Sequence, residues 1–310
     1  MAAVTTERRG RSSLRRREAV AGYLFVVPWL VALLVFTAYP VLAALFFSFS
    51  EYNILQPPEW VGLQNYEAML SEDPSFWTGV GNSAVYAVMA VPLTLAVSLA
   101  LALILSTRAT GIGFYRTVFY LPSLAPPVAG AVVFMLLFSP NQGLVNAALG
   151  SLGLRPPDWF LDPAWAKPTL VILHLWGLGS SVLIFLAGLK EIPQTYLEAA
   201  AIDGANAWQR FRHVVVPLLT PVILFNLVMG VIYSFQVFTS AFVIGGTTGQ
   251  PLESTLMFMI LIYRNAFKYF KMGYASALSV VLFAVVLALT LVIFRSSGRW
   301  VHYEGGARPG

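Results

Sequence analysis

The chain has 310 residues, 58% of them apolar and only 11% charged, whereas a soluble domain carries about 25% charged residues. Most of its surface must therefore face lipid or other helices. The net charge of +5 arises from basic residues at the ends of apolar runs rather than from a face that would hold nucleic acid, and the absence of cysteine excludes disulfides, iron–sulfur clusters and thiolate zinc sites.

Six stretches carry no Asp, Glu, Lys or Arg: 19–50, 74–107, 117–154, 168–189, 214–252 and 272–294. Each exceeds the roughly 20 residues that cross a bilayer. They predict helical cores at 22–47, 82–106, 117–138, 168–188, 217–240 and 273–294. Pro28, Pro40, Pro92, Pro122, Pro126 and Pro221 fall in or near these cores, where neighbouring helices can satisfy the freed backbone groups. The first stretch follows Arg8, Arg9, Arg11, Arg15, Arg16 and Arg17. It is much longer than the apolar core of a cleaved signal, which predicts a retained helix. The segment 51–79 has five acids and no Lys or Arg. With the N-terminus inside, the inner segments hold 14 Lys and Arg and the outer ones 5. Cationic residues favour the cytoplasmic side, so both termini are predicted there. The apolar part of Ser254–Lys271 suits a seventh, re-entrant element, but Arg264, Lys268 and Lys271 fall at i, i+4 and i+7, which favours an amphipathic helix at the outer surface. The expected fold is all-α and integral to the membrane, with six transmembrane helices.

Several chemistries are missing. There is no G-x-x-x-x-G-K-[ST] loop, so the chain does not bind ATP by that device. Gly245-Gly246-Thr247-Thr248-Gly249 lacks the lysine and reads as an outer turn. There is no H-E-x-x-H and no G-x-S-x-G. The six cores carry no ionisable residue except His174 and tyrosines, which argues against a proton-coupled carrier. A transporter driven by a soluble partner needs no such residue, but it does need a cytoplasmic surface on which that partner can act.

The loop between the fourth and fifth spans offers one. Pro193 suits a first helical turn, the run Glu198-Ala199-Ala200-Ala201-Ile202 favours helix, and Gly204 suits a stop. Asn206 is a good N-cap for a second helix running into Pro217. Taken alone, these features also fit an ordinary interfacial helix pair.

Glu198, Ala199, Ala200, Gly204 and Pro217 keep the spacing of the E-A-A, three residues, G, nine residues, I-x-L-P pattern, with Val214 and Val216 in place of Ile and Leu. The segment thereby resembles the coupling loop of permease subunits in ATP-binding-cassette importers. Further segments carry the likeness over about residues 20–300. Among them are Ala38-Tyr39-Pro40, Val61-Gly62-Leu63-Gln64-Asn65-Tyr66, Phe119-Tyr120-Leu121-Pro122, Phe185-Leu186-Ala187-Gly188-Leu189, Asp203-Gly204-Ala205, Trp208-Gln209-Arg210-Phe211 and Gly273-Tyr274-Ala275-Ser276-Ala277. They narrow it to binding-protein-dependent sugar permeases of the maltose-permease type, the first of two paired subunits.

The resemblance implies a type I importer permease fold. It divides the chain into a basic cytoplasmic tail at 1–18, a six-helix domain at 19–296 with its coupling loop at 190–217, and a cytoplasmic tail at 297–310. It implies that Glu198, Ala199, Ala200, Asp203, Gly204 and Pro217 couple to an ATPase. No cofactor is expected on this chain, and ATP and Mg would be bound by the ATPase. The implied partners are a second homologous permease, two copies of the ATP-binding subunit, an extracytoplasmic solute-binding protein, a sugar and the lipid bilayer. The implied location is the cytoplasmic membrane of a bacterium or archaeon. The alignment places a sugar path at His174, Leu178 and Ser181 on the fourth span, and at Gly230, Ser234 and Val237 on the fifth.

The residues themselves leave alternatives open. His174 and Ser181, at i and i+7, share a helix face. His174 suits either a ligand or a hydrogen bond to a neighbouring helix. Trp176 and Tyr233 can stack on a sugar ring or serve as packing and interface anchors. Asn226, Ser234 and Gln236 add polar groups, with Gln236 near the outer end. Arg210, Arg212 and His213 suit lipid phosphates or the ATPase. Glycerol 3-phosphate or a related diester is the nearest alternative cargo, and an ion-coupled carrier is a more remote one. A phosphate would want Arg or Lys near the cavity, and the cores have none.

Overall fold

The computed structural model describes residues 7–107 and 109–302, with side chains from residue 16 onward. Arg108, Arg308, the ends of both tails, and the side chains of Arg8, Arg9, Arg11 and Arg15 lie outside this description.

The described chain is helical. A helix α1 (Glu7–Leu33) passes through a π-turn at Leu34–Ala38 into α2 (Tyr39–Ser48). A two-stranded antiparallel ribbon follows, β1 (Ser50–Glu51) on β2 (Glu59–Trp60), then the short α3 (Gln64–Ser71). The long α4 (Pro74–Leu105) starts with Asp73 as its N-cap, whose carboxylate accepts from Ser75 N–H at 2.9 Å. Next come α5 (Ile112–Tyr120), a 3₁₀ turn at Leu121–Leu124, α6 (Pro127–Leu137) and α7 (Leu144–Ser151). After α8 (Pro163–Trp176) and α9 (Gly179–Glu191), the loop forms α10 (Gln194–Ile202), α11 (Ala207–Arg210) and α12 (Val216–Leu218). The chain ends with α13 (Thr220–Phe235), α14 (Thr239–Gly245), α15 (Phe258–Tyr263) and α16 (Met272–Ser297).

Four helical stretches are long and apolar enough to cross a membrane: Arg16–Ser48, Pro74–Ser106, Thr220–Thr248 and Met272–Ser297. Two more qualify only as bent pairs. Ile112–Leu124 and Pro127–Leu137 meet at 100°, and Pro163–Trp176 and Gly179–Glu191 meet at 52°. The expected cores at 117–138 and 168–188 are therefore broken rather than continuous. Pro126 and Pro127 remove two backbone donors at the first break, and Gly177 and Gly179 flank the second, which lets the helices turn there.

α4 is the central element. It packs against α8, α9, α13 and α15. Tyr86 and Ala90 join Leu170, Val171, Met257 and Ile260 in one apolar cluster, and Ala102 and Leu105 join Leu178, Val182 and Phe185 in another. A third joins Phe76 and Ala87 to Phe258, Leu261 and Leu278. α16 packs along α2. In contrast, α1 carries exposed apolar groups throughout its described part, Phe25 and Trp29 among them.

The segment after α14 departs from the expected surface amphipathic helix. Leu256, Met257, Ile260 and Leu261 are fully buried, and Arg264 is only 7% exposed while Lys268 and Lys271 face out. The physical reason is a π-turn at Arg264–Lys268. Its wider winding carries Lys268 away from Arg264, and the helix ends at Lys268, so Lys271 lies beyond it.

The two ends of the molecule are well marked. At one, Gly273 N–H donates to Tyr52 O at 3.1 Å, and at the other His302 N–H donates to Thr220 Oγ1 at 2.9 Å. A side chain at Gly273 would collide with the Ser50 carbonyl, a backbone atom that cannot yield. Gly273→Val should cost at least about 1–3 kcal/mol of stability. It should appear as a lower unfolding temperature of the purified protein, whereas Gly22→Val, with open space around it, should leave that temperature unchanged.

Candidate functional site

Two features of the fold are candidates. The first is the exposed helical loop that precedes α13. Glu198, Ala199, Asp203 and Gly204 are exposed, while Ala200 and Pro217 are half-buried. α10 closes because Gly204 adopts φ +81°, a left-handed conformation that glycine enters without penalty. Gly204 N–H then donates to Ala201 O at 3.1 Å and Ala205 N–H to Ala200 O at 2.9 Å. α11 opens on a reciprocal capping box. Gln209 N–H donates to Asn206 Oδ1 at 2.9 Å, and Asn206 N–H donates to Gln209 Oε1 at 2.8 Å. Pro217 lies in α12, beyond a π-turn at Phe211–Val215.

The turn between α10 and α11 borders a cavity of about 310 Å³, lined by Asp203, Arg210 and His213 among others. Around it stand large exposed apolar side chains: Tyr196, Ile202 and Trp208, with Ile202 at 87%. Exposed apolar groups on a capped turn are candidates for contact with another protein or with lipid. Sequence reasoning fixed on the small residues and passed over Tyr196 and Ile202. Their signal was available, since both are large apolar residues in a helix that also carries Glu198 and three alanines.

The second feature is the pair of broken helices. The 13 residues of α9, which starts at Gly179, rise about 20 Å, too little to cross a hydrocarbon layer about 30 Å thick without α8. Gly179 faces the other break. An added Cβ would lie 2.6 Å from Ser123 Oγ and 3.0 Å from Tyr120 Cα. Both interruptions thus meet, and interrupted helices leave backbone groups free to receive a polar cargo.

The sequence candidates distribute around this region as follows. His174 is exposed, with its ring edge-on to Tyr86 at 6.4 Å between centroids. Trp176 lies over Gly130 and 5.7 Å from Phe134. Leu178 is buried with Ala102, Val182 and Phe185, and Ser181 is half-buried. On α13, Asn226 is buried and donates to Val222 O at 3.0 Å, while Gly230 faces Val91. Ser234 is buried and donates to Gly230 O at 2.7 Å. Tyr233 and Gln236 are exposed. Val237 packs into the cluster of Tyr86, Leu170 and Val171. Tyr86 therefore brings His174 and Val237 to one place, whereas Leu178 sits in a separate cluster. Asn226 and Ser234 spend a donor on their own helix.

Sequence reasoning missed α4 as a wall of this region. Thr94 and Ser98 are buried on it, and neither hydroxyl has a hydrogen-bond partner among the described residues. Their i, i+4 spacing in an apolar run was the available signal. Among the described residues no group of His, Asp and Glu can hold a metal ion.

Comparison with known proteins gives a consistent result. Residues 93–302 match the family described as "Binding-protein-dependent transport system inner membrane component". The "Probable ABC transporter permease protein YesP" of Bacillus subtilis is 44% identical, over 93% of this chain and 94% of that protein. The "Lactose transport system permease protein LacF" of Rhizobium radiobacter is 34% identical, over 92% and 96%. In structure, a chain of a bacterial ABC transporter involved in the import of the acidic polysaccharide alginate superposes with a TM-score of 0.80 at 22% identity, covering 94% of this chain and 99% of that one. At that identity the likeness concerns the fold.

The capping box yields a direct test of the loop. Asn206→Ala removes one half of it and should destabilise α11 by about 1 kcal/mol. Amide exchange at residues 208–210 should accelerate about fivefold, with exchange in α4 unchanged.

Proposed function

Because the chain belongs to the family of binding-protein-dependent transport system inner membrane components, we propose that it is one of two paired permeases of an ATP-driven importer that carries a sugar, a di- or oligosaccharide, across the cytoplasmic membrane. The observation that carries this reading is the exposed, capped helical turn from Gln194 to Arg210. It is rigid and apolar at its tip, and it stands at the end of the molecule where α9 and α13 leave the membrane. The chain has no nucleotide loop of its own, so work must enter from outside, and this turn is the surface suited to receive it.

In this reading each bent pair is one span, six spans cross the membrane, and both termini are cytoplasmic. The excess of Lys and Arg on the loop side supports that orientation. The domain plan is a short basic tail at 1–18, the six-span domain at 19–296 with its coupling loop at 190–217, and a tail at 297–310. Glu198, Ala199, Ala200, Asp203, Gly204 and Pro217 form the coupling element. The small residues let a groove of the ATPase approach closely, and Glu198 offers an exposed charge for a cationic partner. Two copies of the ATPase, binding ATP and Mg, would press on this turn and on that of the second permease. An extracytoplasmic binding protein would deliver the sugar to the outer face.

His174, Trp176, Leu178, Ser181, Asn226, Gly230, Tyr233, Ser234, Gln236 and Val237 are the proposed surroundings of the path. His174, Trp176 and Ser181 lie next to the broken spans, and Tyr86, Thr94 and Ser98 extend that region along α4. Sugar names among the relatives, lactose for one, support the cargo. So does the absence of Lys and Arg from the six predicted cores, since a phosphate would call for one.

Two experiments test the proposal. In proteoliposomes holding the whole complex, oligosaccharide uptake should require both ATP and the binding protein. Glu198→Arg should cut it at least about tenfold, the cost of losing a charge-assisted contact, and should release the ATPase on purification. Uptake driven by a proton or sodium gradient alone would overturn the importer reading, and uptake of glycerol 3-phosphate in place of sugar would overturn the cargo. The lack of cysteine makes orientation directly measurable. A membrane-impermeant maleimide applied from outside should label Ser71→Cys, and should reach Ala207→Cys only after the membrane is opened.

A further inference from the structure

A cavity of about 760 Å³ opens at the end of the molecule opposite α10. Its walls are the turn after α2, the helix α3, the start of α4, Glu253, and the stretch from Arg264 to Tyr274. These walls are fixed to one another. Asn65 Nδ2 donates to the carbonyls of Ser48 and Ser50, each at 3.0 Å. The Tyr274 hydroxyl donates to Asp73 Oδ2 at 2.7 Å, joining residues 201 positions apart. The cavity is therefore built into the fold, and its volume lies in the range of about 300–1,000 Å³ that small-molecule sites occupy.

Its most informative group is Arg264. The residue is 7% exposed, and among the described residues its guanidinium makes no hydrogen bond. Nε is buried without a partner, the Glu253 carboxylate stands 3.8 Å from Nη1, and the Tyr269 ring lies 5.8 Å from the guanidinium carbon. A buried guanidinium in this state is costly, and an acceptor oxygen arriving from the cavity would relieve it.

The rest of the wall decides what kind of acceptor fits. Four carboxylates line the cavity, on Glu51, Glu72, Asp73 and Glu253, against two cations, on Arg264 and Lys271. A simple anion would meet the carboxylate excess, and a simple cation would meet the buried guanidinium. A hydroxyl group avoids both conflicts, because it accepts from a guanidinium and donates to a carboxylate. Adjacent hydroxyls on one ring can do both at once. The exposed ring of Tyr269 supplies a flat apolar face, and the exposed amide of Gln64 adds a donor and an acceptor.

We propose that this cavity is an outer carbohydrate subsite, which holds a neutral sugar unit at the extracytoplasmic mouth before it moves to the broken spans. The proposal rests on the sugar cargo and the orientation proposed above. The subsite is separate from the proposed path, since none of the path candidates lines it.

The test uses the purified complex in nanodiscs without its binding protein, and lactose, maltose and trehalose as probes. Saturation-transfer NMR should detect at least one of them on the wild-type complex. Arg264→Gln should weaken that signal about tenfold, the range expected when a hydrogen bond to a buried charge is lost, and Gln64→Ala, a variant of an exposed residue that leaves the fold alone, should weaken it about threefold, the range for a neutral hydrogen bond. Both should raise the KM for sugar uptake more than they lower its maximal rate. Absence of transfer to all three sugars, or transfer unaffected by both variants, would overturn the subsite. So would a loss of binding-protein capture in sugar-free buffer, which would make the cavity a docking pocket for that protein. Sugar uptake without binding here sinks the subsite alone, whereas absence of sugar uptake sinks the cargo reading beneath it.

Discussion

The fold hangs on the way α4 holds the segment that follows α14. Within an apolar layer, helices cannot be driven together by water, so close packing and a few hydrogen bonds must do the work. α4 provides both. Gly79, Ser83, Ala87 and Ala90 form a strip of small residues along it, and Gly79 lets the backbone at Phe258 approach closely. Ser83 Oγ accepts from Phe258 N–H at 2.9 Å, and Asn82 Nδ2 donates to the carbonyls of Glu253 and Leu256 at 2.7 and 3.1 Å. Backbone groups that would otherwise be orphaned between α14 and α15 are satisfied by side chains 170 or more positions earlier. Seated in this way, α15 carries Arg264 inward, and the outer cavity exists because of it.

The same helix serves the other functional region. Its middle brings Tyr86 to His174, and its inner end receives Arg116, whose guanidinium donates twice to Leu105 O at 2.7 and 3.1 Å. One helix thus connects the outer cavity, the broken spans and the start of the inner loops. On the side of the α10 loop, α9 is held tightly against the start of α13, because Gly188 lies against Val222 and Leu219.

Much of this was legible in the sequence. Long uncharged runs of 22 residues or more identify the apolar helices, and the Glu198–Gly204 spacing with Asn206 identifies the loop and its turn. The sequence was less informative where local pattern and geometry part company. Pro122 and Pro126 looked tolerable inside a continuous helix, because membrane helices accept proline. Only the packing shows that the chain turns there. The three cations at 264, 268 and 271 looked like one polar face, and a single π-turn removed Arg264 from it. The outer cavity was invisible because its walls come from opposite ends of the chain. The small, polar and aromatic residues of the path remain the hardest to read. A serine bonded to its own helix and one that awaits a cargo look alike in sequence.

The elbow between α5 and α6 also limits how the subunit can be rotated about the membrane normal. Turning 100° interrupts the ladder of amide bonds, and the two prolines at its corner cancel only the donors they lack. Carbonyls before the corner still need partners, and hydrocarbon has none to give. That azimuth is therefore fixed by solvation. Wherever the elbow lies within hydrocarbon, it must look toward another polypeptide or toward water.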